Sequence, residues 1–313
     1  MDAGRSQEIE HILKGLFSFS RMLKPDHAVD SNVNSRVFVA TRVFLPIVAA
    51  ESAPPPLPQV ETIRAWIRQA AAFGSVLCIA VAADEIRLGG VLIAHIRSIL
   101  VEDEFSKLTG VGRLYALPVS PWGAFVTAPN VLALAAAEAG CDMILFQSLE
   151  VNLSPDDLAL LAAELDADTL VVGPALGGHA FASPPAGGSV EVPLDGRTVP
   201  WNTCALWATA RLNLLGFPLV AEGGPLGPAG GGVEEVTAVA VARRVLGGAQ
   251  CGAKLVRLPG AGAAWKTEWA DPARGERHER KMASKVERPA GQLRALGMAA
   301  SDAGTVLHID RSA

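Results

Sequence analysis

NVLALAAAEAGCDMILFQSLEVNLSPDDL, residues 130–158, is the stretch that decides the fold. Asn130 reads as the N-cap of an Ala/Leu helix, and Gly140 as the residue that ends it. Asp142–Phe146 follows as a short, unbroken apolar run, the mark of a strand buried on both faces. Ser154-Pro155-Asp156-Asp157 then opens a new helix, with a cap, a proline in the first turn and acids at the positive end of the dipole. Between strand and helix stands the tetrad Gln147-Ser148-Leu149-Glu150. In an open α/β sheet, ligands bind just beyond the carboxyl ends of the strands, so this tetrad is the first place to look for chemistry.

The same alternation runs outward. Arg36–Phe44 is an apolar, β-branched run suited to a sheet interior. Glu51 to Pro58 is a proline-rich loop. Gln59–Phe73 has helical periodicity and stops at Gly74. Ser75–Ala82 is a second buried strand, closed by Ala83-Asp84-Glu85, and Leu114–Pro118 is a weaker one. Thr169–Gly173 is another, while Cys204–Leu215 reads as a helix capped by Asn202 and ended by Gly216. Strands and helices at this spacing predict an α/β domain with a mostly parallel sheet flanked by helices. Gly223–Gly232 is too glycine-rich to hold one shape and reads as a mobile loop beside a site. Residues 5–24 read as an amphipathic helix outside the main domain.

Composition narrows the class. The 313 residues are 50% apolar and 19% charged, which suits a well-cored globule. A formal net charge of −5 gives no reason to expect nucleic-acid binding. No apolar run is long enough to span a membrane, and the N-terminus has no basic segment leading into an apolar core. The four cysteines are far apart and form no CxxC, so buried free thiols in a reducing, cytoplasmic compartment are expected.

Several clusters could carry chemistry. Asp84 follows a strand and could accept hydrogen bonds from a base or ribose; the plain alternative is a helix cap. Glu150 is a full ligand candidate for a divalent ion on a diphosphate, and Ser148 a weaker one, since such ions take hard oxygen donors. Trp201 offers a flat apolar face on which a sugar ring could lie. Glu234 and Glu235 open a helix behind the glycine loop. A carboxylate there could act as a general base or stabilise oxocarbenium-like charge, and the alternative is a dipole-favoured acidic start. Residues 265–285 hold Arg274, Arg277, His278, Arg280, Lys281 and Lys285, a basic cluster in an acidic protein. Such a cluster suits a pyrophosphate leaving group, and a basic solvated helix is the competing account.

In order and spacing these features resemble a GT-A glycosyltransferase, close to glycosyltransferase family 2 and the glucosyl-3-phosphoglycerate synthases. Gly123, Ala128 and Asn130 resemble the G-x-A-x-A-x-N pattern of family 2. Ile144–Val151 (ILFQSLEV) stands where the family has its "ILFLDADV" strand and DxD motif, so that Ser148 and Glu150 replace the two aspartates. Asn202–Phe217 resembles the acceptor-side segment ending in "LGGF", and Gly231–Arg244 the "GVE" helix start. The resemblance implies a GT-A, Rossmann-like domain over residues 33–285, an N-terminal extension over 1–32 and a tail over 286–313. It implies transfer of a sugar from a nucleotide-diphosphate sugar to an acceptor, with Mg2+ or Mn2+ on the diphosphate. Ser148, Glu150 and His278 would hold the ion. Asp84, Asn130, Arg277, Lys281 and Trp201 would bind the donor, with Glu234 and Glu235 catalytic. A homo-oligomer is compatible with it. The departed DxD motif also admits a second reading, a non-catalytic GT-A-like binding or scaffold protein.

Overall fold

The computed structural model describes residues 36–47, 53–108, 111–185, 187–227, 230–248, 251–260, 264–265 and 284–312. The N-terminal helix expected over residues 5–24, and most of the basic cluster between Trp265 and Lys285, lie outside the described residues.

Strands β1 (Val37–Val43) and β2 (Val76–Ala82) run parallel with Val39 opposite Leu77. Every residue of β2 is buried. Its neighbour β3 (Arg113–Val119) is parallel again. On the other side of β1 lies β4 (Met143–Gln147), also parallel and wholly buried. An apolar run with no polar alternation needs cover on both faces, and this part of the sheet provides it. At about 1.5–3 kcal/mol for each buried Leu, Ile or Phe, these strands supply much of the drive to fold.

Past β4 the direction changes. β8 (Cys204–Ala208) runs antiparallel to β4, with Cys204 opposite Gln147, and antiparallel to β6 (Thr169–Pro174). β9 (Gly252–Arg257) is parallel to β6, and β11 (Thr305–Asp310) is parallel to β9. β7 (Ser189–Pro193) closes the edge, antiparallel to β11. Among the described residues these nine strands form one sheet in the order β3-β2-β1-β4-β8-β6-β9-β11-β7. Beside the tetrad, β5 (Val151–Asn152) pairs with β10 (Ala264–Trp265) as a separate two-stranded sheet.

The helices are α1 (Val60–Ala70), α2 (Gly89–Leu100), α3 (Asp103–Ser106), α4 (Thr127–Glu138), α5 (Pro155–Glu164), α6 (Thr209–Leu215), α7 (Glu234–Leu246) and α8 (Glu287–Ala295). The α/β layering expected from the sequence is present. At α5 the local reading also holds: the Ser154 hydroxyl accepts from the Asp157 amide at 3.1 Å, and Asp157 accepts from the Ser154 amide at 3.2 Å, a reciprocal cap.

Two local expectations are corrected. Cys204–Leu215 is not one helix, because CALWA is fully buried in the sheet as β8 and only Thr209 onward is helical. A five-residue apolar run carries no period that separates buried strand from buried helix. Asn130 is not a cap, because α4 begins at Thr127 and its N-cap is Val126. Instead its amide latches α4 to the end of α6: Oδ1 accepts from the Phe217 amide at 2.7 Å and Nδ2 donates to the Phe217 carbonyl at 3.0 Å. Both ends of the side chain are engaged in this structural clamp. Asn130→Ala is expected to lower stability by about 1–3 kcal/mol, since it strands two backbone groups; a urea titration checks this.

Residues 286–312, expected as a tail, supply α8 and the sheet strand β11. In β11 both His308 and Asp310 are buried and hydrogen-bonded. His308 accepts from the Ala182 amide at 2.9 Å, and Asp310 takes the Ser312 amide at 2.9 Å.

Candidate active site

Segments meet at the carboxyl ends of β1, β2 and β4. The tetrad turn after β4 is held rigidly. Gln147 is 1% exposed, and its amide donates to Gln69 at 2.7 Å and to the Val151 carbonyl at 3.0 Å, bridging the turn. The Ser148 amide donates to the Thr203 carbonyl at 2.8 Å, and the Val151 amide to the Ser148 carbonyl at 3.1 Å. Ser148 is half-buried and Glu150 is exposed at the apex. The bond to Thr203 ties this turn to the loop that enters β8.

That loop carries Asn202, which reaches the acidic pair. Its backbone amide donates to Glu235 Oε1 at 2.6 Å, and its Nδ2 donates to Glu234 Oε1 at 3.1 Å. Arg42, near the end of β1, brings Nη1 to 3.6 Å from the same Glu234 oxygen. Both glutamates are only 5% exposed. Burial, and then the charge of Glu234, push the Glu235 carboxyl up to about 7, against the pull of the Asn202 amide. A carboxylic acid that exchanges its proton near neutrality is suited to general acid–base work.

The pair is held in place by backbone strain and by α8. Val233, just before Glu234, has φ 59° and ψ 40°. A β-branched side chain in the left-handed region costs about 1–3 kcal/mol and persists only where its surroundings enforce it. Here the enforcement is visible. Arg288 donates to the Gly231 carbonyl at 2.8 Å, and Gln292 donates to the carbonyls of Gly230 and Gly232 at 2.8 Å each. The Gly232 amide closes the loop onto the Ala221 carbonyl at 2.8 Å. A Cβ on Gly231 would lie 2.6 Å from the Phe125 ring, so the glycine allows that approach. The glycine stretch expected to be mobile is therefore pinned at its C-terminal end.

On the other side, Asp84 ends the loop after β2 and accepts from the Ser120 hydroxyl at 2.7 Å and the Trp122 amide at 2.8 Å. These two bonds, the hydroxyl first, hold its carboxyl below the ordinary value. It faces an open cleft of about 600 Å3 lined also by Ile47, Arg87, Ser120, Pro121 and Gly123. At the rim of this region Glu222 accepts from three successive amides, those of Ala124, Phe125 (3.0 Å) and Val126 (2.7 Å), at the start of α4.

The other expected residues divide. Trp201 is corrected: it is 2% exposed, its indole donates to the Gly196 carbonyl at 2.8 Å, and no face is open to a sugar. His179 stacks on it at 3.6 Å between centroids, and Lys285 Nζ lies 2.8 Å from its ring centroid. Burial, and then the Lys285 charge, hold His179 at about 3, so the stack contains a neutral imidazole. His278, Arg277 and Lys281 lie outside the described residues. Among the described residues no group of three or more His, Cys, Asp or Glu forms a metal cluster, and no helix is long and apolar enough to cross a membrane. All four cysteines are buried and free.

Sequence reasoning missed Arg42, Asn202, Glu222, Arg288 and Gln292 as parts of this site. Arg42 carried a signal, as a charge near the end of an apolar strand. Asn202 had been assigned to a helix cap, and the other three act from segments distant in sequence.

No protein-family model and no curated protein matches the sequence. Among solved structures, the chain is similar to the mannosyltransferase PcManGT from Pyrobaculum calidifontis in complex with GDP-Man and Mn2+. The TM-score is 0.53 at 13% identity, over 90% of this chain and 71% of that one. S. aureus TarS 1-349 in complex with UDP-GlcNAc gives a TM-score of 0.36 at 14% identity, over 65% of this chain and 52% of that one. A mannose-1-phosphate geranyltransferase from Thermus thermophilus gives 0.34 at 12%, over 90% and 75%. The chain spans about half the length of the TarS chain. The first likeness shows a GT-A-like fold: a large central sheet flanked by helices, as in nucleotide-sugar transferases.

Proposed function

We propose that this chain is a glycosyltransferase that moves a sugar from a nucleotide-diphosphate sugar to a hydroxyl acceptor. The observation that carries the reading is the Glu234–Glu235 pair. Both residues are 5% exposed, and their carboxyls are held by Asn202 and lie one loop away from the tetrad turn on the ligand-binding edge of the sheet. The similar mannosyltransferase was solved with GDP-Man and Mn2+, which supports this donor class and a divalent ion.

Asp84 takes the nucleoside end of the donor in the cleft after β2. Ser148 and Glu150 offer oxygen donors, the kind that Mg2+ and Mn2+ take, and such ions on a diphosphate need only one or two carboxylates from the protein. In this proposal His278 would complete that set, and Arg277 and Lys281 would neutralise the leaving diphosphate. A bound ion supplies Lewis-acid stabilisation of the departing group. Glu235, half-protonated near pH 7, accepts the proton of the acceptor hydroxyl, and Glu234, beside Arg42, orients that hydroxyl.

The test is a panel of UDP-, GDP- and ADP-sugars with Mn2+, read by donor hydrolysis and by calorimetry. One nucleotide class is expected to bind and turn over slowly, and Glu150→Ala is expected to weaken metal-dependent binding about 10- to 100-fold. No turnover together with no nucleotide binding at millimolar donor rejects the transferase and leaves a non-catalytic binding protein.

A further inference from the structure

Asn202 sits where three separate parts of the chain meet, and its amide oxygen, amide nitrogen and backbone N–H each have a partner. Trp207 in β8 is fully buried, and its indole Nε1 donates to Asn202 Oδ1 at 2.9 Å. An indole nitrogen can only donate, so the amide oxygen must face it. The amide nitrogen is thereby turned to the other side, where Glu234 Oε1 accepts from it at 3.1 Å. The backbone amide of the same residue donates to Glu235 Oε1 at 2.6 Å. Asn202 is itself 3% exposed, so no bulk water competes for these bonds.

We propose that Asn202 is a positioning residue that fixes both carboxyl groups of the Glu234–Glu235 pair, and that the Trp207 indole sets its amide the right way round. A free amide can present either its oxygen or its nitrogen to Glu234. With the oxygen turned inward, two acceptors face each other in a buried site, which costs free energy unless a proton lies between them. The indole removes that choice. Among the described residues, the charged groups facing the pair are Arg42 from β1, and Lys285 and Arg288 from the segment that leads into and forms α8. The Trp207 nitrogen is a donor and gives its hydrogen to Asn202, and a cationic side chain cannot accept from it, so the lever can be pulled separately.

This inference rests on the reading that the pair works on an acceptor, but it can be tested without substrate. The full-length protein is labelled with 13C at glutamate carboxyls and titrated by NMR, with Glu234→Gln and Glu235→Gln used to assign the two signals. Trp207→Phe keeps an aromatic ring in place and removes only the N–H. Asn202→Ala removes the donor to Glu234. In both, the two-step titration of the pair is expected to move up by about one pH unit. Phe217→Leu is the control: Phe217 meets Trp207 edge-on at 5.1 Å, so it disturbs the same packing without touching the N–H. It should leave the titration within about 0.3 unit. Where transfer is measurable, Trp207→Phe should lower kcat about 10- to 100-fold with donor KM unchanged. A titration unmoved in both folded variants, or moved equally by Phe217→Leu, overturns the inference. An absence of transfer with the expected titration overturns only the transferase reading. Should Asn202→Ala not fold, Trp207→Phe decides alone.

Discussion

At pH 8 the Glu235→Gln protein is expected to be less active and more stable than the wild type. A glutamine keeps an oxygen for the Asn202 amide but cannot accept a proton, so loss of a general base should cost about 10²–10⁴-fold in transfer rate. The stability change follows from linkage. Burial first, and Glu234 second, raise the folded carboxyl from 4.5 to about 7, so the folded state holds this proton more tightly than the unfolded chain does. The unfolded chain releases it near its ordinary value; the folded protein does not until pH approaches neutrality. Stability due to this group is therefore full below about pH 4.5, falls as pH rises through the window to about 7, and is gone above it. Glutamine removes that loss. Urea titrations should show the variant ahead of wild type by roughly 1–3 kcal/mol at pH 8 and level with it at pH 4.5. An equal difference at both pH values would mean that the proton plays no part. A pH–rate profile of the wild type should rise through about pH 7, and this rise should be absent from the residual activity of Glu235→Gln.

Phe146→Ala is expected to have the largest effect on stability, about 3–5 kcal/mol, and a urea midpoint with unchanged slope reads it. Phe146 is 1% exposed in the centre of the sheet. Its ring meets Phe217 edge-on at 5.9 Å, and Phe217 meets Trp207 in the same way at 5.1 Å. Aromatic pairs of this geometry add about 0.5–1.5 kcal/mol beyond burial alone. Against a total stability of about 5–15 kcal/mol, that loss leaves a protein close to its threshold. The consequence reaches the site, because Gln147 follows Phe146 and braces the tetrad turn. A loss under about 1 kcal/mol would show that the neighbours collapse into the space, and that these rings do not act as one packed unit.

The strands were legible because burial on both faces leaves an apolar run that nothing else explains. SVLCIAVA reads as a buried strand, and VLCIAVA is one, with its ends right to within a residue. The cap of α5 was legible because a serine, a proline and two acids each answer a separate need of a helix start. Cys204–Ala208 was not, because five apolar residues fit a buried strand and a buried helix equally well. Trp201 misled for a different reason. An indole next to a glycine loop has the same local sequence whether its ring faces a ligand or a histidine. Only the fold shows that His179 takes the ring. Glu234 and Glu235 were visible as a pair, but their partners come from β1, from the loop before β8 and from α8. No local pattern joins segments so far apart.

The clasp on the glycine loop has a consequence for the order in which the molecule is made. Ribosomes deliver the acidic pair about fifty residues before Arg288 and Gln292, whose side chains hold the carbonyls of Gly230, Gly231 and Gly232. Until those residues emerge, the turn at Val233 is held by the Gly232 amide on the Ala221 carbonyl, without the side-chain clasp of α8. The nascent chain thus carries its carboxyls before their clasp. A stalled or clipped product ending before α8 would lack β11 as well, leaving β7 without its partner in the sheet and the acidic pair without its clasp.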